Sequence, residues 1–326
     1  MDAWKRLTDC LEQRVPELYG LRTPCAVRVL KNSENVTCLV TEADGRKSVL
    51  RLNRPDYHDE EELQGELRWM EELRRDTTLL LPEVYRGENG DFLQHLSLPE
   101  WQGTCCLFSF LEGETLGQAS PEIQRSYLKT AGEIMARLHL HAMQRNGAVP
   151  IQRFSWDWPD LFGPNARWGD WHAYRELTPE TAALLDKTVG ILQKRLDAFG
   201  KGAERYGLIH ADLHRSNLIF HEGKAQVFDF DDCGYGWYLY DFGCCLVEYA
   251  GGLDSLKEAL CEGYERVRPL SAEEKAELDS FILLRRIIRL AWLSGHQDSD
   301  TAQMVEPGYF AQTCTMAEAF CRQMRL

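Results

Sequence analysis

The most informative part of the chain is a polar cluster that lies between two short apolar runs, and it reads Leu208-Ile209-His210-Ala211-Asp212-Leu213-His214-Arg215-Ser216-Asn217-Leu218-Ile219-Phe220. A second cluster, of acids, follows in the segment Val227-Phe228-Asp229-Phe230-Asp231. Short apolar runs of this kind predict strands, so each polar cluster is expected in a loop where a strand ends. Asn217 follows Asp212 by five positions and Asp229 follows it by 17, so one loop presents both Asp212 and Asn217.

These three side chains have the chemistry that phosphoryl transfer requires. The transferred group carries negative charge on its oxygens, so catalysis depends mainly on positioning and on neutralising that charge. Asp212 is expected to accept the proton of the substrate hydroxyl. Asn217 and Asp229 supply a neutral and a charged oxygen, the ligand type that Mg²⁺ prefers, and Mg²⁺ also binds nucleotide phosphates. The pattern therefore predicts one base and two magnesium ligands.

The spacing of His210, Asp212 and Asn217, followed by an apolar residue and Asp229, resembles the catalytic and metal loops of the aminoglycoside phosphotransferase and choline kinase superfamily. Within that superfamily the pattern is closest to the bacterial branch of homoserine-kinase-like and stress-response-kinase-like proteins. The resemblance implies a bilobal protein-kinase-like fold, ATP and Mg²⁺ as cofactors, and transfer of the γ-phosphoryl group to a hydroxyl.

The segment 234–243 is similar to the part of the superfamily in which a later Asp braces the catalytic loop, and Asp241 matches that residue. The resemblance covers most of residues 25–250. His210 is expected to orient the loop through a hydrogen bond rather than to move protons, and His214 is given no role.

The remaining pattern predicts strands before about residue 110 and mainly helices after it. An N-terminal helix is expected, and helix starts are marked at Ser120-Pro121, at Thr178-Pro179 and at the capping box Ser271–Glu274. The other predicted elements are strands at Cys25–Leu30, Val36–Thr41 and Lys47–Asn53, a helix over Asp59–Arg75, and strands at Phe92–Leu96 and Thr104–Phe110.

A sheet followed by helices indicates an α+β protein with two lobes and a cleft between them. Residues 1–110 are predicted as the N-lobe, a small antiparallel sheet with one helix that binds the nucleotide. Residues 111–326 are predicted as the larger, mainly helical C-lobe, which carries catalysis and binds the substrate.

A basic residue on the third strand and an acidic residue on the following helix belong to the nucleotide side. By the resemblance, Arg51 matches the strand residue that contacts the α- and β-phosphates, where many relatives have Lys. Glu66 lies within the apolar stripe of its helix, between Leu63 and Met70. Because an unpaired buried carboxylate is costly, Glu66 is expected to pair with Arg51; the alternative is a solvated Glu66 at the edge of the stripe.

The chain contains no P-loop motif, so other backbone must hold the phosphates. The turn Asn32-Ser33-Glu34-Asn35 resembles the superfamily's glycine-poor phosphate loop, and the alternative is an ordinary hairpin turn. By the resemblance, the hinge that reads adenine is Ser109–Glu112, with Phe110 at its centre. The candidate walls of the adenine pocket are Leu218, Ile219 and Phe228.

Two features of the substrate side leave alternatives open. Residues 154–171 intersperse aromatic and acidic side chains, which fits a wall for an amine-bearing alcohol or a loop held by aromatic packing, and packing is the preferred interpretation. If Asp229 faces the cleft, strand alternation points Asp231 the same way, and Asp231 would then be a further metal or substrate ligand. The equal alternative is that Asp231 caps a turn before Cys233-Gly234.

Composition narrows the class of protein. The net charge of −14 disfavours nucleic acid and anionic membranes as partners. Eleven cysteines, an odd number without metal-ligand spacing, indicate reduced thiols in a cytoplasmic protein. The charged N-terminus lacks the apolar run of a signal peptide, and three arginines interrupt the most apolar later stretch, 281–293, so no membrane span is expected.

Three functions remain. The first is a kinase for a small-molecule hydroxyl acceptor, such as an amino alcohol, a hydroxy amino acid or an aminoglycoside. The second is a Ser/Thr protein kinase on the same scaffold, which the short interval between Asp229 and Asp241 and the lack of an A-P-E segment disfavour. The third is a non-catalytic nucleotide-binding module, against which the presence of both Asp212 and Asp229 argues.

Overall fold

The structure is a computed structural model that describes residues 3–32, 35–55, 57–116, 120–145, 149–249, 251–296, 305 and 308–324. The chain divides into two compact units. The first unit contains residues 1–114, 149–153 and 219–231, and the second contains residues 115–148, 154–218 and 232–326.

This division differs from two continuous segments, 1–110 and 111–326, because two later segments pack into the first unit. The backbone N–H of Val227 donates to Leu80 O at 2.9 Å, and the Gln226 side chain donates to Glu112 O at 2.8 Å. Arg153 donates from one Nη to Glu62 O at 2.9 Å. These bonds tie both segments to the N-terminal part of the chain.

The first unit is built on one antiparallel sheet. Its elements are α1 (Ala3–Tyr19), β1 (Ala26–Asn32), β2 (Val36–Thr41), β3 (Lys47–Asn53), α2 (Glu60–Asp76), β4 (Val84–Tyr85), β5 (Gln94–Leu98) and β6 (Trp101–Ser109). The strand order is β1-β2-β3-β6-β4, and β5 pairs with β6. The predicted bounds of β2 and β3 agree with these strands, and turn residues delimit both. Strand β2 alternates buried and half-buried side chains, whereas β3 is buried throughout from Leu50 to Asn53. Gly45 has φ 85°, which the tight turn between β2 and β3 requires.

Helices α1 and α2 each bury one face. Leu7, Leu11 and Val15 of α1 join the apolar core of the sheet. Helix α2 begins where the Asp59 side chain accepts from the N–H of Glu62, and it buries the predicted stripe with Glu66 in it.

The second unit is mainly helical. The elements that follow in chain order are β7 (Glu114–Thr115), α3 (Pro121–Gln144), α4 (Trp158–Phe162), α5 (Pro179–Phe199), β8 (Tyr206–Ile209), β9 (Leu218–His221), β10 (Lys224–Val227), β11 (Gly234–Trp237), α6 (Tyr238–Leu246), α7 (Leu253–Tyr264), α8 (Ala272–Gly295) and α9 (Tyr309–Gln323). Of these, the β9–β10 hairpin lies mostly in the first unit.

The predicted helix starts are present in the second unit. Ser120 and Thr178 cap α3 and α5, each with proline in the first turn. Both reciprocal bonds of the capping box between Ser271 and Glu274 are formed at the start of α8.

Close helix packing forms the core of the second unit. Helix α3 packs on α7 and α6 packs on α8. Gly132 and Gly263 lie where α3 and α7 meet, and a Cβ atom at either position would collide with the backbone of the opposite helix. Among the helices that the structure describes, none combines the length and the apolar composition needed to cross a bilayer.

Candidate active site

The loop after β8 carries the predicted base, and a buried carboxylate from α6 holds this loop. Strand β11 pairs antiparallel with β8, and its first residue, Gly234, lies opposite Ile209, the last residue of β8, so the chain leaves the sheet at His210. The carboxylate of Asp241 accepts from the backbone N–H of His210 at 3.1 Å and of Ala211 at 2.7 Å. Ala211 has φ 63°, a left-handed conformation that is costly for a residue with a Cβ atom. The predicted bracing contact of Asp241 is therefore present, and it stabilises a strained turn next to Asp212.

Two further buried side chains, His139 and Tyr264, extend the hydrogen bonding of Asp241. His139 of α3 lies between Asp241 Oδ2 at 3.0 Å and the hydroxyl of Tyr264 at 2.9 Å. Burial lowers the pKa of His139 below its ordinary value, so the ring is neutral. Because a carboxylate only accepts, Nε2 carries the proton and donates to Asp241, and Nδ1 accepts from the Tyr264 O–H. One hydrogen-bonded chain thus links α7, α3 and α6 to the loop that carries Asp212.

The carboxylate of Asp212 has partners on both oxygens. Oδ1 accepts from Nη2 of Arg285 at 2.9 Å, and Oδ2 accepts from Nδ2 of Asn217 at 2.9 Å. His214 Nε2 lies 3.2 Å from Oδ2. As predicted, His210 orients the loop, because its Nδ1 accepts from the N–H of Asp212 at 3.3 Å.

These neighbours set the charge of Asp212. Burial opposes its ionisation, but the positive charges of His214 and Arg285 outweigh burial and hold the pKa of Asp212 well below its ordinary value. Burial also lowers the pKa of His214, yet Asp212 and Glu248 raise it above the ordinary value. Asp212 is therefore a carboxylate at neutral pH and a weak base.

Asn217 is oriented so that it offers an oxygen for a cation. Its Nδ2 donates to both the backbone oxygen and Oδ2 of Asp212, each at 2.9 Å. An amide held in this way directs Oδ1 away from Asp212. Since Mg²⁺ takes oxygen ligands, the orientation fits the predicted role of Asn217.

In the first unit, Arg51 forms the predicted ion pair with Glu66. Two parallel bonds of 2.8 and 2.7 Å join the guanidinium to the Glu66 carboxylate, and Nε donates to Asn53 at 2.9 Å. Phe108 lies 5.3 Å below the guanidinium. The alternative of a solvated Glu66 is wrong, because this side chain is 1% exposed.

Asp231 also belongs to this cluster, which neither sequence alternative anticipated. Its Oδ1 lies 3.2 Å from Nη1 of Arg51, and its Oδ2 accepts from the Asn35 side chain at 2.8 Å. Asp229 has φ 63°, so the backbone between the two acids is not extended and the alternation argument does not apply. Arg51 thus sits between two carboxylates, and Asp231 is a partner of this arginine.

The remaining predicted residues are distributed as follows. Asp229 is half-buried after β10 in the first unit, whereas Asp212 and Asn217 lie in the second. Asn32 is exposed and accepts from Arg54 at 2.9 Å, and Ser33 lies outside the described residues. The candidates for the adenine pocket in the first unit are half-buried, namely Phe110, Ile219 and Phe228; Leu218 is fully buried.

The aromatic segment 154–171 supports the packing interpretation. Trp156 stacks on Tyr240 with ring centroids 5.7 Å apart, and its Nε1 donates to Asp232 O at 2.8 Å. Asp157 and Asp170, two of the acids proposed for amine binding, already pair with Lys201 and His172. Trp168 is different, because it packs against the guanidinium of Arg285 at 4.4 Å.

The sequence interpretation missed Arg285 and His214. Arg285 was noted only as a charge that interrupts an apolar stretch, yet a buried arginine requires a partner, and this requirement was a usable signal. His214 had no such signal, because a histidine in a polar loop is usually solvated.

Comparisons with known proteins agree with this architecture. The sequence model of a family described as "Phosphotransferase enzyme family" matches residues 26–277. The structure of a microcompartment-associated aminopropanol kinase is 33% identical and covers 97% of this chain and 98% of its own, with a TM-score of 0.85. An amicoumacin kinase solved with AMP-PNP, Ca²⁺ and Ami is 19% identical over 95% of this chain and 92% of its own, with a TM-score of 0.75.

A homoserine kinase of Polaromonas naphthalenivorans (strain CJ2) is 30% identical over 193 residues, which is 55% of this chain and 58% of that protein. The chain thus spans little more than half the length of this curated relative. Together, the matches confirm the predicted kinase-like α+β fold. They also confirm that the sequence motifs resemble those of the phosphotransferase family.

Proposed function

Because the chain belongs to the phosphotransferase enzyme family, we propose that it transfers the γ-phosphoryl group of ATP to a hydroxyl group of a small molecule. The observation that carries the proposal is the set of donors around the Asp212 carboxylate. Arg285 and Asn217 each donate to it at 2.9 Å, and His214 lies 3.2 Å away.

Asp212 acts mainly by orienting the acceptor hydroxyl. An ionised carboxylate has about four positions that accept hydrogen bonds, and the three neighbours use three of them. One position is left for the hydroxyl, which fixes the direction of attack. In a loose transition state the hydroxyl proton moves late, so a weak base is sufficient.

Asn217 and Asp229 are proposed to hold Mg²⁺. The fixed amide of Asn217 supplies a neutral oxygen, and Asp229 supplies a charged one. Asp229 adopts its left-handed backbone without being a glycine, and such strain is typical of functional positions. When bound, the ion supplies positive charge to the nucleotide phosphates.

Arg51 is proposed to contact the nucleotide phosphates while Glu66 holds it. Three of the five N–H groups of its guanidinium donate to Asn53 and Glu66 in the described part of the chain, and Asp231 Oδ1 lies 3.2 Å from Nη1. The second N–H on Nη2 is the group proposed to contact a phosphate oxygen. The half-buried Phe110, Ile219 and Phe228 are proposed to contact adenine, and Asn32 the phosphates.

The acceptor is proposed to be a small amino alcohol or hydroxy amino acid. Support comes from the relatives, which are named as an aminopropanol kinase and a homoserine kinase. A cytoplasmic location is proposed because the proposed phosphoryl donor is ATP and all eleven cysteines are thiols rather than disulfides.

A kinase assay with a panel of acceptors tests this function. Formation of ADP is measured with aminopropanol, homoserine, an aminoglycoside and a generic protein substrate, and nucleotide binding is measured by fluorescence. We expect turnover with a small amino alcohol or hydroxy amino acid. Phosphorylation of the protein alone would favour a protein kinase, and nucleotide binding without any turnover would favour a non-catalytic module.

Two variants test the roles of the carboxylates. Asp212→Asn should lower kcat at least about 10³-fold with nucleotide binding intact, because the base is lost. Asp229→Ala should instead weaken binding of the magnesium nucleotide. Asp254→Asn, which changes an exposed carboxylate of α7, is the matched control and should resemble the wild type.

A further inference from the structure

Helix α8 carries three arginines in its apolar stretch, and their surroundings differ. Arg286 is fully buried, and its donors reach Thr313 Oγ1 at 3.0 Å, Val247 O at 2.9 Å and Tyr309 O at 3.0 Å. These bonds anchor α9 to α8. The requirements of a buried guanidinium are met there by ordinary structural partners.

Arg289 follows Arg285 by one helical turn and is partly exposed at the surface of the second unit. Its Nη2 lies 3.4 Å from Glu248 Oε1, and its guanidinium lies 5.4 Å from the ring of Tyr309. Its side chain is 15% exposed. Arg289 therefore offers a matched control on the same face of the same helix.

Arg285 has a different pattern of partners. Its side chain is 6% exposed, and its Nη2 donates to Oδ1 of the base Asp212 at 2.9 Å. Its Nη1 reaches the hydroxyl of Tyr240 at 3.4 Å, and Trp168 lies 4.4 Å from the guanidinium. The buried Nε makes no hydrogen bond to the residues that the structure describes.

A guanidinium kept for packing alone would fill its donors as Arg286 does. Arg285 leaves one buried donor unfilled, yet it keeps a short bond to the catalytic carboxylate. Trp168 and Tyr240 hold the flat face of the guanidinium, so its direction toward Asp212 is fixed by packing.

We propose that Arg285 is a positioning residue for Asp212, holding one carboxylate oxygen while Asn217 holds the other. The inference rests on the proposed role of Asp212 as the base. With both oxygens held by different groups, the carboxylate does not rotate about its χ2 bond, and the open acceptor position keeps one direction. Removal of Arg285 frees Oδ1 and lets the hydroxyl bind in unproductive orientations.

The expected effect is on turnover and not on nucleotide binding. A misplaced catalytic group costs about 10²-fold in rate, so Arg285→Met should lower kcat about 100-fold. Arg285→Lys keeps the charge without the planar fork, and its kcat should lie between those of Arg285→Met and the wild type. The KM for ATP should change by less than about twofold, because the hydrogen bonds described for Arg285 go to Asp212 and Tyr240, and neither residue is assigned to the nucleotide.

The test compares Arg285→Met, Arg285→Lys, Arg289→Met and Asp212→Asn in the full chain, with aminopropanol and homoserine as acceptors. Arg289→Met should keep wild-type kcat. Crystal structures of the wild type and Arg285→Met give a readout that needs no acceptor, and the Asp212 carboxylate should leave its wild-type orientation in the variant.

The outcomes separate this inference from the proposed function. Wild-type kcat in Arg285→Met with an inactive Asp212→Asn, or an unmoved Asp212 carboxylate in the Arg285→Met crystal, overturns the positioning role alone. An equal loss of kcat in Arg289→Met also overturns it, because any charge removed from α8 would then suffice. Full activity of Asp212→Asn overturns the proposed function itself.

Discussion

Replacing Asp241 by Asn removes a charge and turns one acceptor oxygen into a donor at a fully buried position. Oδ2 accepts from the N–H of His210 and from His139 Nε2, and Oδ1 accepts from the N–H of Ala211. An Asn side chain keeps most bonds if its oxygen takes the Oδ2 place. Its amino group then faces the N–H of Ala211, and one buried backbone donor loses its acceptor.

The cost of Asp241→Asn follows from these contacts. A buried donor without an acceptor costs about 1–3 kcal/mol, and the two surviving bonds lose the contribution of a charged acceptor, about 1 kcal/mol each. The second unit should therefore lose about 3–5 kcal/mol of unfolding free energy. For a unit of this size, that loss corresponds to a fall in Tm of roughly 6–20 °C.

Asp241→Asn should also lower kcat. The left-handed turn at Ala211 relaxes when its bond to Asp241 is lost, and Asp212 is the next residue. A shift of about 1 Å in the base costs about 10²-fold in kcat. We therefore expect stability and kcat to fall together.

Urea and thermal unfolding, followed by tryptophan fluorescence, measure the stability of Asp241→Asn, and the kinase assay measures its kcat. Asp254→Asn makes the same chemical change on an exposed surface and should leave both quantities unchanged. A stability loss below about 1 kcal/mol, within the range of ordinary surface substitutions, would refute the stability contribution that is assigned to the hydrogen bonds of Asp241. Wild-type kcat in a destabilised Asp241→Asn would show that the turn does not position Asp212.

Three further changes test other parts of the molecule. Arg51→Lys loses the bidentate fork and should lower stability by about 2–3 kcal/mol and weaken binding of magnesium-ATP at least tenfold, measured by urea unfolding and by fluorescence titration. Burial lowers the pKa of His58, but Asp231 and Glu62 raise it above its ordinary value, so its stabilising contribution is complete below about pH 6.5 and is lost as pH rises through the folded pKa. His58→Gln should remove this loss, seen as a flatter urea midpoint between pH 6 and 9. Ser271→Ala removes a helix cap and should cost about 1 kcal/mol in the same unfolding assay.

The features that the sequence predicted are those fixed by neighbouring residues. Short strand-like runs between turn residues placed β2 and β3, and capping residues placed the starts of α3, α5 and α8. Glu66 was assigned correctly because its place in an apolar stripe required a partner, and the resemblance to kinases indicated Arg51 as that partner. The resemblance identified Asp241, which periodicity alone would have left as one acid among many.

The features that it missed depend on which helices meet, and local pattern does not encode this. His139 and Asp241 are 102 positions apart, and Arg285 and Asp212 are 73 positions apart. The contact of Asp231 with Arg51 was missed for a different reason. Alternation holds only for extended backbone, and the left-handed φ of Asp229 breaks it at the position where the inference was made.

A buried arginine nevertheless restricts which residues can be its partners. Burial of an unpaired guanidinium is costly, so an arginine on the inner face of an apolar helix implies a carboxylate or a set of carbonyl acceptors within reach. In α8 both solutions occur side by side, since Arg286 takes backbone carbonyls and Arg285 takes Asp212. Both of these buried cations need acceptors. Only the packing of α8 shows that one of those acceptors is Asp212, the proposed base, and this pairing connects a helix without any sequence motif to the proposed site.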